Sequence, residues 1–153
     1  MFPALYNLML ALWVGGIFIF TFLVTPVVFR SFGRDTASAI VDKLFPFYFP
    51  YLLAVAVLAF IFFLISGLKR QAMPKLSLAL LVIGILISLY VNVHLFPEVK
   101  KIKQEIASFE KVPSDSPAGR QFSKLHGISM ALNLALLADG ALLIVINSIH
   151  KNG

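Results

Sequence analysis

The sequence predicts an all-α integral membrane protein, built as a four-helix bundle with two interfacial amphipathic helices. Hydrophobic residues make up 59% of the 153 residues and charged residues only 13%, whereas a soluble domain has roughly a quarter of its residues charged. Four apolar stretches reach the roughly 20 residues that a helix needs to cross a bilayer. Two further segments place apolar residues at helical spacing. We expect one membrane domain covering residues 1–153.

The four apolar stretches are expected to cross the bilayer as helices. The predicted spans are residues 4–29, 49–68, 75–96 and 124–148. The first stretch is not a cleavable signal, because no basic residue precedes it and no small-x-small cleavage site follows it. A soluble protein with four buried helices would need amphipathic outer faces, which these stretches lack.

Two connecting segments are predicted to be amphipathic helices lying at the membrane interface, residues 34–47 and 97–111. The apolar positions of the first are Ala37, Ile40, Val41 and Leu44, and those of the second are Val99, Ile102, Ile106 and Phe109. An aromatic run, residues 45–51, follows the first helix, as in the aromatic belts of membrane proteins.

The charge pattern predicts how the chain meets the membrane. The net charge is +6, and the basic residues flank apolar segments, which favours anionic lipid head groups over nucleic acid as partner. The positive-inside rule places loops 30–48 and 97–124 in the cytoplasm. We therefore expect a multi-pass protein of a prokaryotic inner (cytoplasmic) membrane. Without cysteine, disulfides and thiol-ligated metals are excluded.

Polar residues near the basic ends of the spans are expected to meet. His126, Ser129 and Asn133 share one face of the fourth span. Residues from the other spans end on the same side of the membrane, and we predict a polar seam that ties the helix ends together. Its predicted members are Arg30, Tyr48, Asn92, Ser129 and Asn133.

Two histidines offer an alternative for that end of the bundle. His94 and His126 lie on antiparallel spans, so they are candidate axial ligands of haem b or ligands of a transition metal. No carboxylate or cysteine stands at metal-ligand spacing beside them. The sequence therefore predicts no metal site and no resident cofactor, with haem b as the alternative.

Asp139 is an acidic residue well inside the fourth span. A charged carboxylate there is costly by a few kcal/mol, so the group is protonated, paired or water-facing. It is either a hydrogen-bonding group between helices, a proton or cation relay, or a polar contact to another membrane subunit. No nucleophile–base set or phosphate-binding loop accompanies it, so no catalytic residues and no enzyme activity are predicted.

Three stretches of the sequence are distinctive: "WVGG" in the first span, "PVVFRSFGRDTASAIVDKLFPFYF" after it and "FSKLHGISMALNLALLADG" in the fourth span. In these stretches the chain resembles the transmembrane protein 205-like family of small four-helix membrane proteins. The resemblance covers nearly the whole chain and implies a fold more than an activity. The first span is also similar to those of copper-resistance-D-like and haem-binding protoporphyrinogen-oxidase-like membrane proteins. Those carry a histidine shortly before the tryptophan, where this chain has Asn7 and Leu8.

These observations together predict a non-enzymatic membrane protein. We expect a structural or accessory subunit of a larger membrane assembly, or a homo-oligomer, in contact with the lipid bilayer. One alternative is a redox protein that binds haem b through His94 and His126. The other is a small ion or metal transporter, or a resistance factor, that uses Asp139.

Overall fold

The backbone is almost wholly helical in the computed structural model, which describes residues 1–70, 74–106, 108–109 and 116–152. No β-strand occurs within these ranges. Four helical stretches are long and apolar enough to cross a membrane, namely Phe2–Ser31, Arg34–Leu68, Lys75–Glu105 and Pro117–Ile149. The predicted all-α class with four spanning helices is confirmed.

The first and third spans are each built from two α-helices joined by a wider π-helical turn. The first consists of α1 (Phe2–Ile19), the turn Phe20–Val24 and α2 (Thr25–Ser31). The second is one helix, α3 (Arg34–Arg70). The third consists of α4 (Lys75–Tyr90), the turn Val91–Leu95 and α5 (Phe96–Glu105), and the fourth is α6 (Pro117–Asn152).

Each π-helical turn ends shortly before a proline, Pro26 in the first span and Pro97 in the third. Proline lacks the amide hydrogen, and its ring clashes with the carbonyl four residues earlier. A wider turn relieves this crowding without ending the helix. In the first span, the Thr25 hydroxyl donates a hydrogen bond to the Phe20 carbonyl at 2.9 Å. Both spans therefore continue as helices beyond their prolines.

The segment predicted as a separate interfacial helix, residues 34–47, is the beginning of α3. The helix runs without a break through Pro46 and Pro50. The apolar stripe of this segment is buried against the protein, with Ala37 and Val41 no more than 5% exposed. Packing on the rest of the chain, rather than on lipid, therefore explains why the segment continues the second span.

The second amphipathic segment, predicted at 97–111, is likewise continuous with a span. It forms α5, which continues the third span and ends at Glu105, where Ile106 takes an extended conformation with φ −96° and ψ 102°. Residues 107 and 110–111 lie outside the described ranges. Ile102 and Ile106 are buried, and α5 packs along α6. The hydrophobic stripe thus joins the bundle.

The four spans form a ring. Each span packs against the next one along the chain, and the fourth packs against the first. The core lies along the axis of this ring. Its largest fully buried side chains are Trp13, Leu10, Ile17, Leu52, Leu81 and Leu143. Large apolar side chains also cover the outer surface, including Leu8, Phe22, Leu86 and Leu142, each about half exposed. This outer surface is compatible with contact to lipid.

Candidate functional site

A chain of hydrogen bonds crosses the middle of the bundle. The Tyr48 hydroxyl donates to Asn133 Oδ1 at 2.7 Å, and Asn133 Nδ2 donates to Thr21 Oγ1 at 2.7 Å. Tyr48 is 8% exposed, and its ring stacks on Phe20 with centroids 3.9 Å apart. The structure thus joins two predicted seam residues, from the second and fourth spans, to the first. Thr21 was not predicted, since an isolated threonine in an apolar helix carries no distinctive pattern.

Asn92 and Ser129 belong to the same region but not to the same hydrogen-bond chain. Asn92 Nδ2 donates to the carbonyls of Phe49 at 3.0 Å and Ser88 at 2.8 Å, which ties the third span to the second. Ser129 lines a cavity of about 10 Å³ beside Asn92 and Asn133. That volume holds about one water molecule, so this part of the seam serves packing rather than ligand binding.

The remaining polar residues predicted at this end of the bundle are exposed. Arg30 is exposed at the end of α2. His94 is exposed and lies beside Tyr90, with ring centroids 5.9 Å apart. His126 is exposed too and stacks on Phe122 at 5.7 Å. His126 is among the residues that line the cavity of about 330 Å³ described below, and His94 is not.

Asp139 lies inside the bundle and faces the first and third spans. It is 6% exposed, and neither carboxyl oxygen has a hydrogen-bond partner among the described residues. Gly84 of α4 stands directly against it: a Cβ added at Gly84 would lie 2.7 Å from Asp139 Oδ2 and 2.8 Å from Trp13 Cζ2. The absence of a side chain at Gly84 is therefore what makes room for Asp139 and Trp13.

Two more buried polar atoms near this point have no partner within the described ranges, Tyr6 Oη and Trp13 Nε1. Asn147 Nδ2 donates a hydrogen bond to Asn7 Oδ1, which ties the later part of the fourth span to the beginning of the first. The sequence identified Asp139 as a candidate site residue, but it did not predict that Gly84, Trp13 and Tyr6 surround it. A glycine and aromatic residues in apolar helices predict packing in general and not a particular neighbour.

A larger cavity of about 330 Å³ opens where α3 and α6 begin. Its lining combines four polar side chains with phenyl rings and small or aliphatic residues. The lining residues are Phe29, Arg34, Ser38, Ile106, Phe109, Gly119, Phe122, Ser123, His126 and Gly127. Its lining includes one of the predicted site residues, His126.

The segment after α5 forms one wall of this cavity because Asp35 holds it in place. The Asp35 carboxylate accepts hydrogen bonds from the Ser108 hydroxyl and the Phe109 amide, both at 2.6 Å. Phe109 then packs on Phe122 with ring centroids 4.8 Å apart. Lys103 lies 5.6 Å from the Phe109 ring centroid and pairs with Asp42. No group of three histidine, aspartate or glutamate side chains suited to a metal ion occurs among the described residues.

The fold and the polar contacts define a class: a small multi-pass helical membrane protein, with hydrogen bonds between its spans. The chain belongs to the family described as "Domain of unknown function (DUF4149)", which it matches over residues 8–108. It is also similar to an uncharacterized protein of Aquifex aeolicus (strain VF5). The two are 31% identical over 140 residues, which cover 90% of this chain and 92% of that protein. No solved structure matches the chain.

Proposed function

We propose that this protein is a non-enzymatic structural component of the membrane. Its fourth span packs against the fourth span of a second copy of the chain. The observation that carries the proposal is the outward face of α6. Gly127, Ala131 and Ala135 follow at intervals of four residues, which puts them on one face, and all three are exposed. Ala138 extends the same face. A Cβ at Gly127 would meet nothing within 4 Å.

Small residues at this spacing favour helix association in a membrane. Lipid tails are as apolar as leucine, so spans associate through close backbone approach, which small side chains permit. The outward face of α4 presents Ile83, Leu86 and Leu89, each about half exposed. On α6, Leu134 and Leu142 are about half exposed as well and lie beside the small residues, so the small-residue face is a narrow stripe. Two copies related by a two-fold axis would place the small-residue face of α6 against itself.

The polar residues of the spans support this proposal more than the alternatives. Asp139 faces inward and lines neither cavity described above. These cavities therefore provide no path by which an ion or metal would reach Asp139. Neither of these two cavities is lined by both His94 and His126, so the described cavities offer no site for haem b between the two histidines. We include two further points in this proposal. The chain is related to the transmembrane protein 205-like family, and it can also act as an accessory subunit of a larger membrane assembly.

Disulfide cross-linking in native membranes tests the self-association, because the chain has no cysteine of its own. We expect Ala131→Cys to yield a disulfide-linked dimer on mild oxidation. The matched control is Ile83→Cys, also exposed in mid-span but on the large-residue face of α4, and we expect it to stay monomeric. Equal cross-linking of both variants would mean random collision. Monomer from both, together with a monomeric mass in mild detergent, would rule out the homo-oligomer.

We further propose that the membrane is the inner membrane of a prokaryotic cell, with residues 30–48 and 97–124 on the cytoplasmic side. The excess of lysine and arginine in these two loops supports this orientation. Labelling of intact cells with a membrane-impermeant maleimide tests it. Modification of Ser31→Cys from outside the cell would reverse the proposed orientation.

A further inference from the structure

We propose that the 330 Å³ cavity between the beginnings of α3 and α6 binds the phosphate group of an anionic amphiphile, with Arg34 as its main cationic contact. The proposal is independent of how the spans associate. It rests on the lining of the cavity, on the charges around it and on its size.

The lining has the two kinds of surface that such a molecule needs. Arg34, Ser38 and Ser123 supply a guanidinium and two hydroxyl groups, and His126 adds ring nitrogens. A guanidinium binds phosphate oxygens with two parallel N–H donors, and hydroxyls complete the set. The opposite part of the lining consists of the phenyl rings of Phe29, Phe109 and Phe122, which suit the apolar part next to a head group.

The electrostatic surroundings favour an anion. Both α3 and α6 begin at the cavity, so amide groups of two helix N-termini lie near it and add positive potential. Arg34 has no ion pair within the described ranges. Of the two acidic side chains of the first turns of α3, Asp42 pairs with Lys103, and Asp35 accepts hydrogen bonds from Ser108 and Phe109.

The size of the cavity fits a head group rather than a whole lipid. Ligand pockets have volumes of roughly 300–1,000 Å³, and 330 Å³ lies at the lower end of this range. A phosphate with a short polar or glycerol portion fills such a space, and the acyl chains would extend along the apolar outer surface. A soluble phosphate compound has the same anionic chemistry, so the experiment must separate these two sources.

Thermal unfolding in lipid nanodiscs tests the site with phosphatidic acid and, separately, inorganic phosphate as probes. We expect phosphatidic acid in a phosphatidylcholine background to raise the Tm of the wild-type protein. Arg34→Gln should weaken the apparent affinity at least about tenfold, because the charge-assisted hydrogen bonds of the guanidinium are lost. The matched control is Arg30→Gln, which removes the same charge from an exposed position at the same end but outside the cavity, and should leave the response unchanged.

The possible outcomes separate the site from general surface charge. A stabilisation by inorganic phosphate that Arg34→Gln abolishes would support the same site with a soluble ligand. Equal losses in the two arginine variants would overturn the proposal, because they would show attraction by net charge alone. So would the lack of a Tm response to either probe. If Arg34→Gln misfolds in phosphatidylcholine alone, Ser123→Val, at an exposed position in α6, replaces it in the same comparison.

Discussion

Gly84 is a residue whose lack of a side chain decides how three spans meet. It is buried in α4, and the Trp13 ring of the first span and the Asp139 carboxyl of the fourth occupy the space beside it. Both neighbours are themselves almost fully buried and have little room to move. Any added atom at position 84 therefore has to displace the core.

Gly84→Ala is expected to destabilise the protein by about 1–3 kcal/mol, the usual cost of overpacking a core. Thermal or denaturant unfolding in mild detergent measures this loss. Gly15→Ala is the matched control, because a Cβ at Gly15 meets nothing within 4 Å. Alanine is favoured over glycine in a helix by about 0.5–1 kcal/mol, so the control should be unchanged or slightly more stable. Equal effects would mean that the packing at Gly84 is looser than described.

Tyr48→Phe removes the hydroxyl that donates to Asn133 and so shortens the hydrogen-bond chain to Thr21. Hydrogen bonds between membrane helices contribute about 0.6 kcal/mol on average and up to about 1.7, and we expect a loss in that range. The control is Tyr90→Phe, at a site 48% exposed, which should change stability by less than about 0.5 kcal/mol. Comparison of the two unfolding curves distinguishes the specific bond from the general loss of a hydroxyl.

Asp139→Asn keeps the size of the side chain and removes its ability to carry a charge. Neither oxygen of Asp139 has a partner among the described residues, so no ion pair is lost on substitution. We expect stability within about 1 kcal/mol of the wild type, since a buried charge without a partner is itself unfavourable. A loss of about 3–5 kcal/mol, the cost of breaking a buried ion pair, would show that a cationic partner faces Asp139.

Among the helices, the two amphipathic segments show that a sequence pattern predicts the presence of a helix more reliably than it predicts what that helix packs against. Residues 34–47 have the periodicity of an amphipathic helix, and the structure has a helix there. The same apolar stripe can lie on lipid or on protein, because both environments bury it equally well. Contacts such as the Lys103–Asp42 ion pair are made between residues distant in sequence, so the periodicity of one segment does not contain them.

Asp35→Ala is expected to release the segment that follows α5, since the Asp35 carboxylate accepts hydrogen bonds from both Ser108 and Phe109. Hydrogen bonds to a charged group contribute about 1.5–3 kcal/mol, so exchange of the Phe109 amide hydrogen should become about tenfold faster or more. Amide hydrogen exchange followed by mass spectrometry measures this. Asp42→Ala, on the same helix but paired with Lys103, serves as the control, and an equal acceleration there would contradict a specific role for Asp35.

At the scale of the whole molecule, four antiparallel spans determine on which side each connection lies. Ser31 ends the first span, and Ser148 lies near the end of the fourth. Three crossings separate these positions, which places them on opposite sides of the membrane. Single cysteines there, Ser31→Cys and Ser148→Cys, should be labelled from opposite sides by an impermeant maleimide. Labelling of both from the same side would mean that one of the four helices does not cross.

The hydropathy of the sequence is enough to predict an all-α protein with four spanning helices and roughly where these lie. Hydropathy is summed over about 20 consecutive residues, so it depends only on the local chain. The sequence also determined that Tyr48, Asn133 and Asp139 are unusual, because polar groups in apolar helices are rare.

Which of these residues meet depends on how the four spans pack together. The position of a residue along a helix gives its angle about that helix alone, and the packing of the spans determines what stands opposite. This is why Asp139 faces Gly84 and Trp13, why Thr21 completes the chain from Tyr48, and why His126, but not His94, lines the 330 Å³ cavity. The cavity beside Arg34 likewise exists only because the beginnings of two helices and the segment held by Asp35 come together.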